Sequence, residues 1–425
     1  MAVVDAGTTR LGNALYIMDA ITLPPDRKLA PMNGARVIHL AFILLFPGFF
    51  FYQTLLGLGL ISAFLGGYFT LVALVLTPPL IFSLRAAVKA RKIVVSQLDL
   101  FCLLFITYWC LILAINVAGG ADTMIAQRHL QSIIFCVDTY IIFRMSDFNH
   151  KKLIVLLVVS LLVMSTITIY MSIDGFFYLQ ALGQSKNPEN LATYQGFARS
   201  YIYTYLIVVS LARSMGARLI LYGLATTTLF LNGARSEFSA VLFSIPLIEL
   251  YYTKHKFAAF IVITVVLMAF MMNAEAIVGM LPENRTLQLL DLSHSSSVMA
   301  RQNLSRDAWR TITQNPIFGD FASYPDGHYA HNVLGAWVDF GIVGFVFFSA
   351  LLIWPAFLLF ANGFFHREKS SEFIIAVSFT CITILWALTA KNVPDMSVGA
   401  ALGAFAKYYY GRRSGQDHSC NLRAS

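Results

Sequence analysis

The sequence is poor in charged residues. Only 12% of its 425 residues are Asp, Glu, Lys or Arg, whereas 58% are hydrophobic. Soluble globular proteins carry about 25% charged residues, and a chain this apolar has too few polar side chains to cover a surface in water. The low charge therefore excludes a soluble globular protein.

Cysteine is also scarce, and its placement excludes two further kinds of stabilisation. Four of the five cysteines lie inside apolar blocks and the fifth lies in the C-terminal tail: Cys102, Cys110, Cys136, Cys381 and Cys420. Because no Cys-x-x-Cys pair occurs and no cysteine lies in a predicted outer loop, neither a disulfide framework nor a zinc site is indicated. We expect these cysteines to act as small packing residues.

Residues 1–36 lack the features of a secretory signal peptide. They are mixed and polar, and they contain no short basic start followed by an apolar run and a small-residue cleavage site. We therefore expect the first apolar block to be retained as a membrane anchor.

Apolar blocks fill most of the remaining chain. Most are roughly 17–25 residues long, the length at which a helix crosses a ~30 Å hydrocarbon layer. This pattern predicts an all-α polytopic membrane protein with a cytoplasmic segment at 1–36, a membrane domain at 37–410 and a cytoplasmic tail at 411–425. About twelve transmembrane helices are predicted, near residues 37–60, 64–84, 97–117, 129–145, 153–170, 200–212, 219–231, 238–252, 257–280, 332–361, 372–389 and 396–410.

The basic residues report orientation rather than nucleic-acid binding. Although the formal net charge is +8, these residues form short clusters between apolar blocks. With the N-terminus inside and twelve crossings, 21 of the 30 Lys and Arg residues fall on inner segments, as the positive-inside rule requires. Both termini are then cytoplasmic, and two long outer segments span about 171–199 and 281–331. The nine outer cations are Arg128, Lys186, Arg199, Arg235, Arg285, Arg301, Arg306, Arg310 and Lys391.

Arg235 lies in the short link between the helices predicted at 219–231 and 238–252. A guanidinium this close to hydrocarbon is costly without a partner. The side chain could snorkel to the water interface or pair with Glu237. Alternatively, its planar fork of donors could bind phosphate oxygens.

The outer segment at 281–331 contains a predicted helix at 298–313, which Asn-Pro then ends. An apolar stripe follows its helical spacing and consists of Leu304, Ala308 and Ile312. Arg301 lies on this stripe and should face the membrane domain, whereas Arg306 and Arg310 should be solvated. An amphipathic helix that lies on the membrane surface would show the same pattern.

A polar stretch leads directly into the apolar block at 332–361, and His331 and Asn332 would occupy the first turn of that helix. Asp339 lies seven residues later on the same face, and an intramembrane carboxylate is a functional candidate. His331 could cap the helix, or it could act in catalysis. His328 precedes it by three residues, but no further ligand set completes a metal site.

Four runs of sequence occur in order: Gly233-Ala234-Arg235-Ser236, then Arg301-x-x-Leu304-x-x-x-Ala308 with Asn315-Pro316-Ile317-Phe318-Gly319, then Tyr329-Ala330-His331-Asn332-Val333-Leu334, and Asp339-Phe340-Gly341-Ile342-Val343-Gly344. In order, spacing and predicted side, these runs resemble the bacterial O-antigen ligase and O-antigen polymerase superfamily. The resemblance extends from about residue 190 to 350, and no single motif in it is specific.

The resemblance implies a fold and a chemistry. Members have a GT-C-like membrane domain in the bacterial inner membrane, which here would have a helical periplasmic loop between helices 9 and 10. They transfer a glycan from undecaprenyl pyrophosphate to an acceptor sugar on the periplasmic side, without a metal or other cofactor. By this resemblance, Arg235 and Arg301 would neutralise the pyrophosphate leaving group, and His331 would be the general base. The implied substrate-binding residues are Asn332, Asp339, Arg199, Asp326 and Tyr329.

The acceptor separates the two branches of the superfamily. It is the lipid A core of lipopolysaccharide for a ligase, and a second carrier-linked repeat unit for a polymerase of surface polysaccharide. Both branches share the implied site residues, although the run at 329–332 is closer to polymerases. A flippase and a chain-length protein would be the protein partners, and nucleic acid would not be one.

A twelve-helix transporter of the major facilitator type is the alternative function. Such transporters usually have a long cytoplasmic loop after helix six and a motif with Gly and Asp between helices two and three. Here the first link is only about 213–218, and the second contains the basic run at 85–92. The chain also shows no two-half repeat of the kind that transporters carry.

Overall fold

The computed structural model describes residues 33–62, 68–180, 193–273, 296–325, 328, 330–364, 369–391, 393 and 395–421. These residues are mainly helical, with one short β-hairpin of β1 (Ser172–Ile173) and β2 (Phe176–Phe177). In chain order, the described helices are α1 (Asn33–Ile43), a π-helical turn (Leu44–Gly48), α2 (Phe49–Gly57), α3 (Tyr68–Lys89), α4 (Gln97–Ala118), α5 (Thr123–Met145), α6 (Lys151–Tyr170), α7 (Tyr194–Leu211), α8 (Met215–Asn232), α9 (Arg235–Tyr252), α10 (Lys256–Met272), α11 (Ser296–Gln314), α12 (Leu334–Asn362), α13 (Ser371–Thr389) and α14 (Ser397–Asn421).

Six of the described helices are long and apolar enough to cross a membrane. They are the continuous helix Gly34–Gly57, α3, α4, α6, α12 and α13. Each of the twelve predicted segments overlaps a helix, but the other six helices are shorter or more polar. Helix α5, for example, carries Arg128, Asp138 and Arg144. The structure therefore supports an all-α membrane-embedded protein, and the number of twelve spans stays a prediction.

The chain divides into two compact units. The first contains the described residues up to Tyr68 and from Asp147 to Ile245, and the second contains 69–146 and everything described from Pro246 onwards. Helix α9 begins in the first unit, and its residues from Pro246 belong to the second.

Helix α7 is the centre of the first unit. Almost every residue from Gly196 to Leu211 is buried, which is expected of a helix that other helices surround. The Phe46 ring stacks on Tyr203 with centroids 4.4 Å apart, and the Phe50 ring meets Phe197 edge-on at 5.0 Å. These contacts explain why a helix as short as α7 is stable: aromatic packing holds it.

Helices α5 and α14 pack closely in the second unit through glycines. A Cβ on Gly399 would lie 2.1 Å from the Cys136 carbonyl oxygen, and one on Gly403 would lie 2.4 Å from the Tyr140 carbonyl oxygen. Small residues allow this backbone approach, as at other helix contacts in membranes. Arg144 then crosses the contact and donates from Nη1 to the Ala406 carbonyl at 3.0 Å.

Helix α12, which covers most of the segment predicted at 332–361, is broken at Gly341. Gly341 has φ 66° and ψ −173°, a conformation that only glycine adopts without strain. The turn after α11 lies against the break, where the Ile342 N–H donates to the carbonyls of Pro316 and Ile317, both at 3.2 Å. Gly319 in that turn has φ +72°, and a Cβ there would lie 2.4 Å from the Val338 carbonyl oxygen. Two glycines with positive φ thus let a loop replace the missing helix hydrogen bonds.

Candidate functional site

Helix α11 places Arg301 beside the start of α12. Ala308 and Ile312 are buried in a cluster with Ala330 and Val338, whereas Arg306 and Arg310 are exposed. The apolar stripe therefore packs as its spacing predicts. Arg301 is half-buried, and its Nη1 donates to the Thr389 carbonyl at 3.5 Å.

His331 is half-buried between two cations. Burial, followed by the positive charges of Arg301 and Lys391, lowers the pKa of His331 from 6.5 to about 4. The imidazole is therefore neutral at physiological pH and keeps a lone pair that can accept a proton. The sequence does not distinguish Lys391 from the other eight predicted outer cations. Only the fold brings Lys391 close to His331. Its ammonium lies 5.4 Å from the centre of the Trp386 ring.

Asn332 connects α11 to the start of α12. Its Nδ2 donates to Ser305 Oγ at 2.9 Å, and its Oδ1 accepts from the Leu334 N–H at 3.0 Å. Helix α12 begins at Leu334 with Val333 at its N-cap position, so Asn332 lies just before the helix instead of in its first turn as predicted. These two bonds fix the backbone next to His331 in the sequence.

Asp339 is fully buried at the centre of a polar network. The Tyr324 hydroxyl lies 3.0 Å and 3.2 Å from its two carboxylate oxygens, and His129 Nε2 lies 3.8 Å from Oδ2. Trp109 Nε1 donates to His129 Nδ1 at 3.1 Å. Because indole can only donate, Nδ1 must be the acceptor, and a neutral His129 carries its proton on Nε2, facing Asp339.

This network is the part of the site that sequence reasoning missed. Trp109 lies on α4 and His129 on α5, far along the chain from Asp339. Only the polarity of a histidine within a predicted span could have signalled His129, and the predicted span began at that residue.

Tyr324 also lines a cavity of ≈ 300 Å³. The walls of this cavity come from α11, from the segment before α12 and from the first two turns of α12. The polar lining residues are Asp307, Thr311, Ser323, Tyr324 and His328, and the apolar ones include Leu304, Ala330 and Val338. Hydroxyl and carboxylate groups beside an aromatic ring suit a hydroxyl-rich ligand such as a sugar.

Arg235 and Arg199 belong to the first unit. Gly233 ends α8 with φ +75°, and Arg235 is the first residue of α9, so the predicted link shrinks to two residues. Arg235 is half-buried, and Ser236 Oγ donates at 2.7 Å to the buried carboxylate of Glu237. Arg199 is half-buried on α7.

Two predicted site residues, Asp326 and Tyr329, lie outside the described residues. Within the part of the chain that the structure describes, no group of three or more His, Cys, Asp or Glu side chains could hold a metal ion. His328 is exposed there.

Comparison with known proteins assigns no family. No family model matches the chain, and no curated protein matches it.

Proposed function

We propose that this protein is a membrane glycosyltransferase that moves a glycan from undecaprenyl pyrophosphate to the hydroxyl of an acceptor sugar. The observation that carries the proposal is the position of His331, which is half-buried and close enough to Arg301 and Lys391 that their charges add to burial in lowering its pKa to about 4. A neutral imidazole can accept a proton, and two cations can take the charge of a leaving pyrophosphate. Those are the two tasks that this transfer requires.

His331 acts on the acceptor in this mechanism. It takes the hydroxyl proton while the acceptor oxygen forms a bond to the anomeric carbon of the donor glycan. The bond from that carbon to the phosphate oxygen breaks, and its electron pair leaves with the pyrophosphate. Arg301 and Lys391 neutralise the new charge. By the sequence resemblance alone, Arg235 would share this task.

Donor binding also strengthens the base. The positive charges of Arg301 and Lys391 help to depress the pKa of His331. An anionic pyrophosphate bound to these cations would offset their charge and raise that pKa towards its ordinary value of about 6.5. His331 then becomes an effective base once the donor is in place.

The acceptor sugar fits the cavity between α11 and α12. Tyr324 offers an aromatic wall, and Asp307 and Thr311 offer hydrogen-bonding groups. Ala330, the neighbour of His331, is part of the same lining. Asn332 fixes the backbone next to His331, and Asp339 accepts a hydrogen bond from the Tyr324 hydroxyl. Asp326, Tyr329 and Arg199 remain proposed contacts from the resemblance.

The proposed topology has twelve spans and a GT-C-like membrane domain in a bacterial inner membrane. The site then lies on the periplasmic side, and both termini are cytoplasmic. The alternation of basic segments along the sequence supports this orientation, and the six long apolar helices support membrane insertion.

The test is complementation of a gene-deletion strain, read by surface-glycan electrophoresis. We expect His331→Ala and Arg301→Ala to abolish glycan transfer at normal membrane levels of protein. Arg306→Ala and Arg310→Ala, which change exposed arginines on the same helix, are the matched controls. We expect both control variants to restore glycan transfer in the deletion strain. Full transfer by the His331 and Arg301 variants would refute the proposed chemistry.

The deletion itself distinguishes the two branches of the superfamily. Loss of all attached long chains, with carrier-linked polymer accumulating, indicates a ligase. A lipid A core that carries one repeat unit indicates a polymerase. Unchanged surface glycans would favour the transporter alternative.

A further inference from the structure

A second cavity lies within the second unit, far along the chain from His331. Its volume is ≈ 370 Å³, within the range of about 300–1,000 Å³ of small-ligand sites. Apolar side chains from five helices and the link after α3 line it, including Leu84, Ile93, Leu103, Val137 and Leu402. The occupant must therefore be a hydrocarbon.

The cavity reaches the outer surface of its helices. Ile81, Leu100 and Leu103 belong to its lining, and all three side chains are exposed. Exposed leucine and isoleucine on apolar helices face lipid in a membrane protein. A lipid chain can therefore enter from the side without crossing a polar barrier.

The one charged residue in the lining already has its partners. Asp99 accepts hydrogen bonds from the Ser96 N–H at 2.6 Å, from Arg144 Nε at 3.3 Å and from the Tyr140 hydroxyl. Its carboxylate thus places no demand on a ligand in the cavity. Left empty, the apolar walls would lose their dispersion contacts.

Four exposed cations stand beside this cavity. They lie on the last turns of α3 and the link after it: Arg85, Lys89, Arg91 and Lys92. Val88 and Ile93 lie next to these cations in the sequence, and both line the cavity. Cations next to a membrane attract anionic lipid headgroups.

We propose that this cavity binds one anionic glycerophospholipid, with an acyl chain between α3, α4, α5 and α14 and the phosphate on the basic segment 85–92. The charge alternation of the sequence places that segment on the cytoplasmic side. A phospholipid of that leaflet is therefore the occupant, and the carrier lipid of the proposed reaction is not. This site does not depend on the proposed enzymatic function.

The first experiment is native mass spectrometry of the full chain, released from nanodiscs of phosphatidylglycerol and phosphatidylcholine in equal amounts. We expect one retained phosphatidylglycerol per chain. The exposed variant Lys89→Ala/Arg91→Ala/Lys92→Ala should reduce its occupancy at least five-fold, because the phosphate loses its cations. Lys151→Ala/Lys152→Ala, another exposed basic pair on the predicted cytoplasmic side, is the matched control and should retain the lipid.

The second experiment locates the acyl chain by photocrosslinking. Phosphatidylglycerol with a diazirine on its acyl chain should modify peptides that contain Leu103 or Val137 in the unaltered protein. Val137→Trp, which fills the cavity, should abolish those adducts, whereas Val155→Trp on the exposed face of α6 should not.

Three outcomes would overturn the proposal. Equal retention of phosphatidylcholine would show that the cations select no headgroup. Adducts confined to other helices would place the chain elsewhere. Displacement of phosphatidylglycerol by an equal amount of undecaprenyl phosphate would assign the cavity to the carrier lipid.

Discussion

His331 is the residue in which burial and charge act together. Burial disfavours the imidazolium, and Arg301 and Lys391 disfavour it further, so the pKa of this side chain falls to about 4. The same cations are the groups that a pyrophosphate would contact. In the proposed reaction, the base strength of His331 and the binding of the donor are thus coupled through the charges of these three side chains.

This coupling predicts two acidic limbs in the pH dependence of transfer. In the proposed reaction His331 acts in its neutral form, so we expect activity to be lost as the pH falls through the pKa of His331. We expect the limb of kcat/KM, which reports the free enzyme, near pH 4, and the limb of kcat at higher pH. The measurement is the initial rate against pH with purified carrier-linked donor.

The variant Lys391→Met tests the direction in which nearby positive charge shifts the pKa of His331. Removing a cation makes protonation easier, so the pKa of His331 should rise and the kcat/KM limb should move to higher pH. Arg306→Met removes an exposed charge and should leave the limb in place. A shift with the control and none with Lys391→Met would refute the electrostatic argument.

Tyr324 is predicted to stabilise the protein through Asp339. Its hydroxyl donates to a fully buried carboxylate, so Tyr324→Phe should cost about 1.5–3 kcal/mol, the value of a hydrogen bond to a charged group. Thermal unfolding in detergent would show this as a lower Tm. Tyr170→Phe, at a largely exposed tyrosine, is the control and should leave Tm unchanged.

At the scale of elements, the break in α12 organises the site. The first turns of α12 carry Asp339, and the turn after α11 packs against the break at Gly341. The break thus fixes α11, and with it Arg301, against the start of α12. A continuous helix would leave that turn without its backbone hydrogen bonds.

We therefore expect Gly341→Ala to be strongly destabilising. An alanine would have to adopt φ near 66°, at about 1–3 kcal/mol of strain, and its Cβ would lie 2.1 Å from the Ile317 carbonyl oxygen. Gly223→Ala on α8 meets no atom within 4 Å and should be neutral or stabilising, since alanine favours helix. The measurement is the membrane yield and the Tm of the two variants. Equal stability of Gly341→Ala and Gly223→Ala would contradict the proposed role of the break.

At the scale of the whole molecule, we predict the orientation of the chain in the membrane. Six of the described helices are long and apolar enough to span a membrane, and the charge alternation predicts the side on which each link lies. In a background without the native cysteines, Arg306→Cys should react with an impermeant maleimide added on the predicted outer side. Lys152→Cys should react only after permeabilisation. Labelling of both positions from the outside would refute the topology.

Sequence patterns determined those features that depend on local composition. Blocks of apolar residues predicted the helices, and the helical spacing of Ala308 and Ile312 predicted which face of α11 is buried. The Asn-Pro pair and Gly319 predicted where α11 ends. These signals are local because hydrophobic periodicity and backbone restrictions act within a few residues.

Only the tertiary structure decided the environment of the candidate residues. The approach of Lys391 to His331 and the chain from Trp109 through His129 to Asp339 join residues far apart in sequence. The break at Gly341 likewise exists because another loop supplies its hydrogen bonds. Burial and Coulomb interactions depend on distance in space, so the charge state of His331 follows from packing, whereas the apolar helices that carry it follow from the sequence alone.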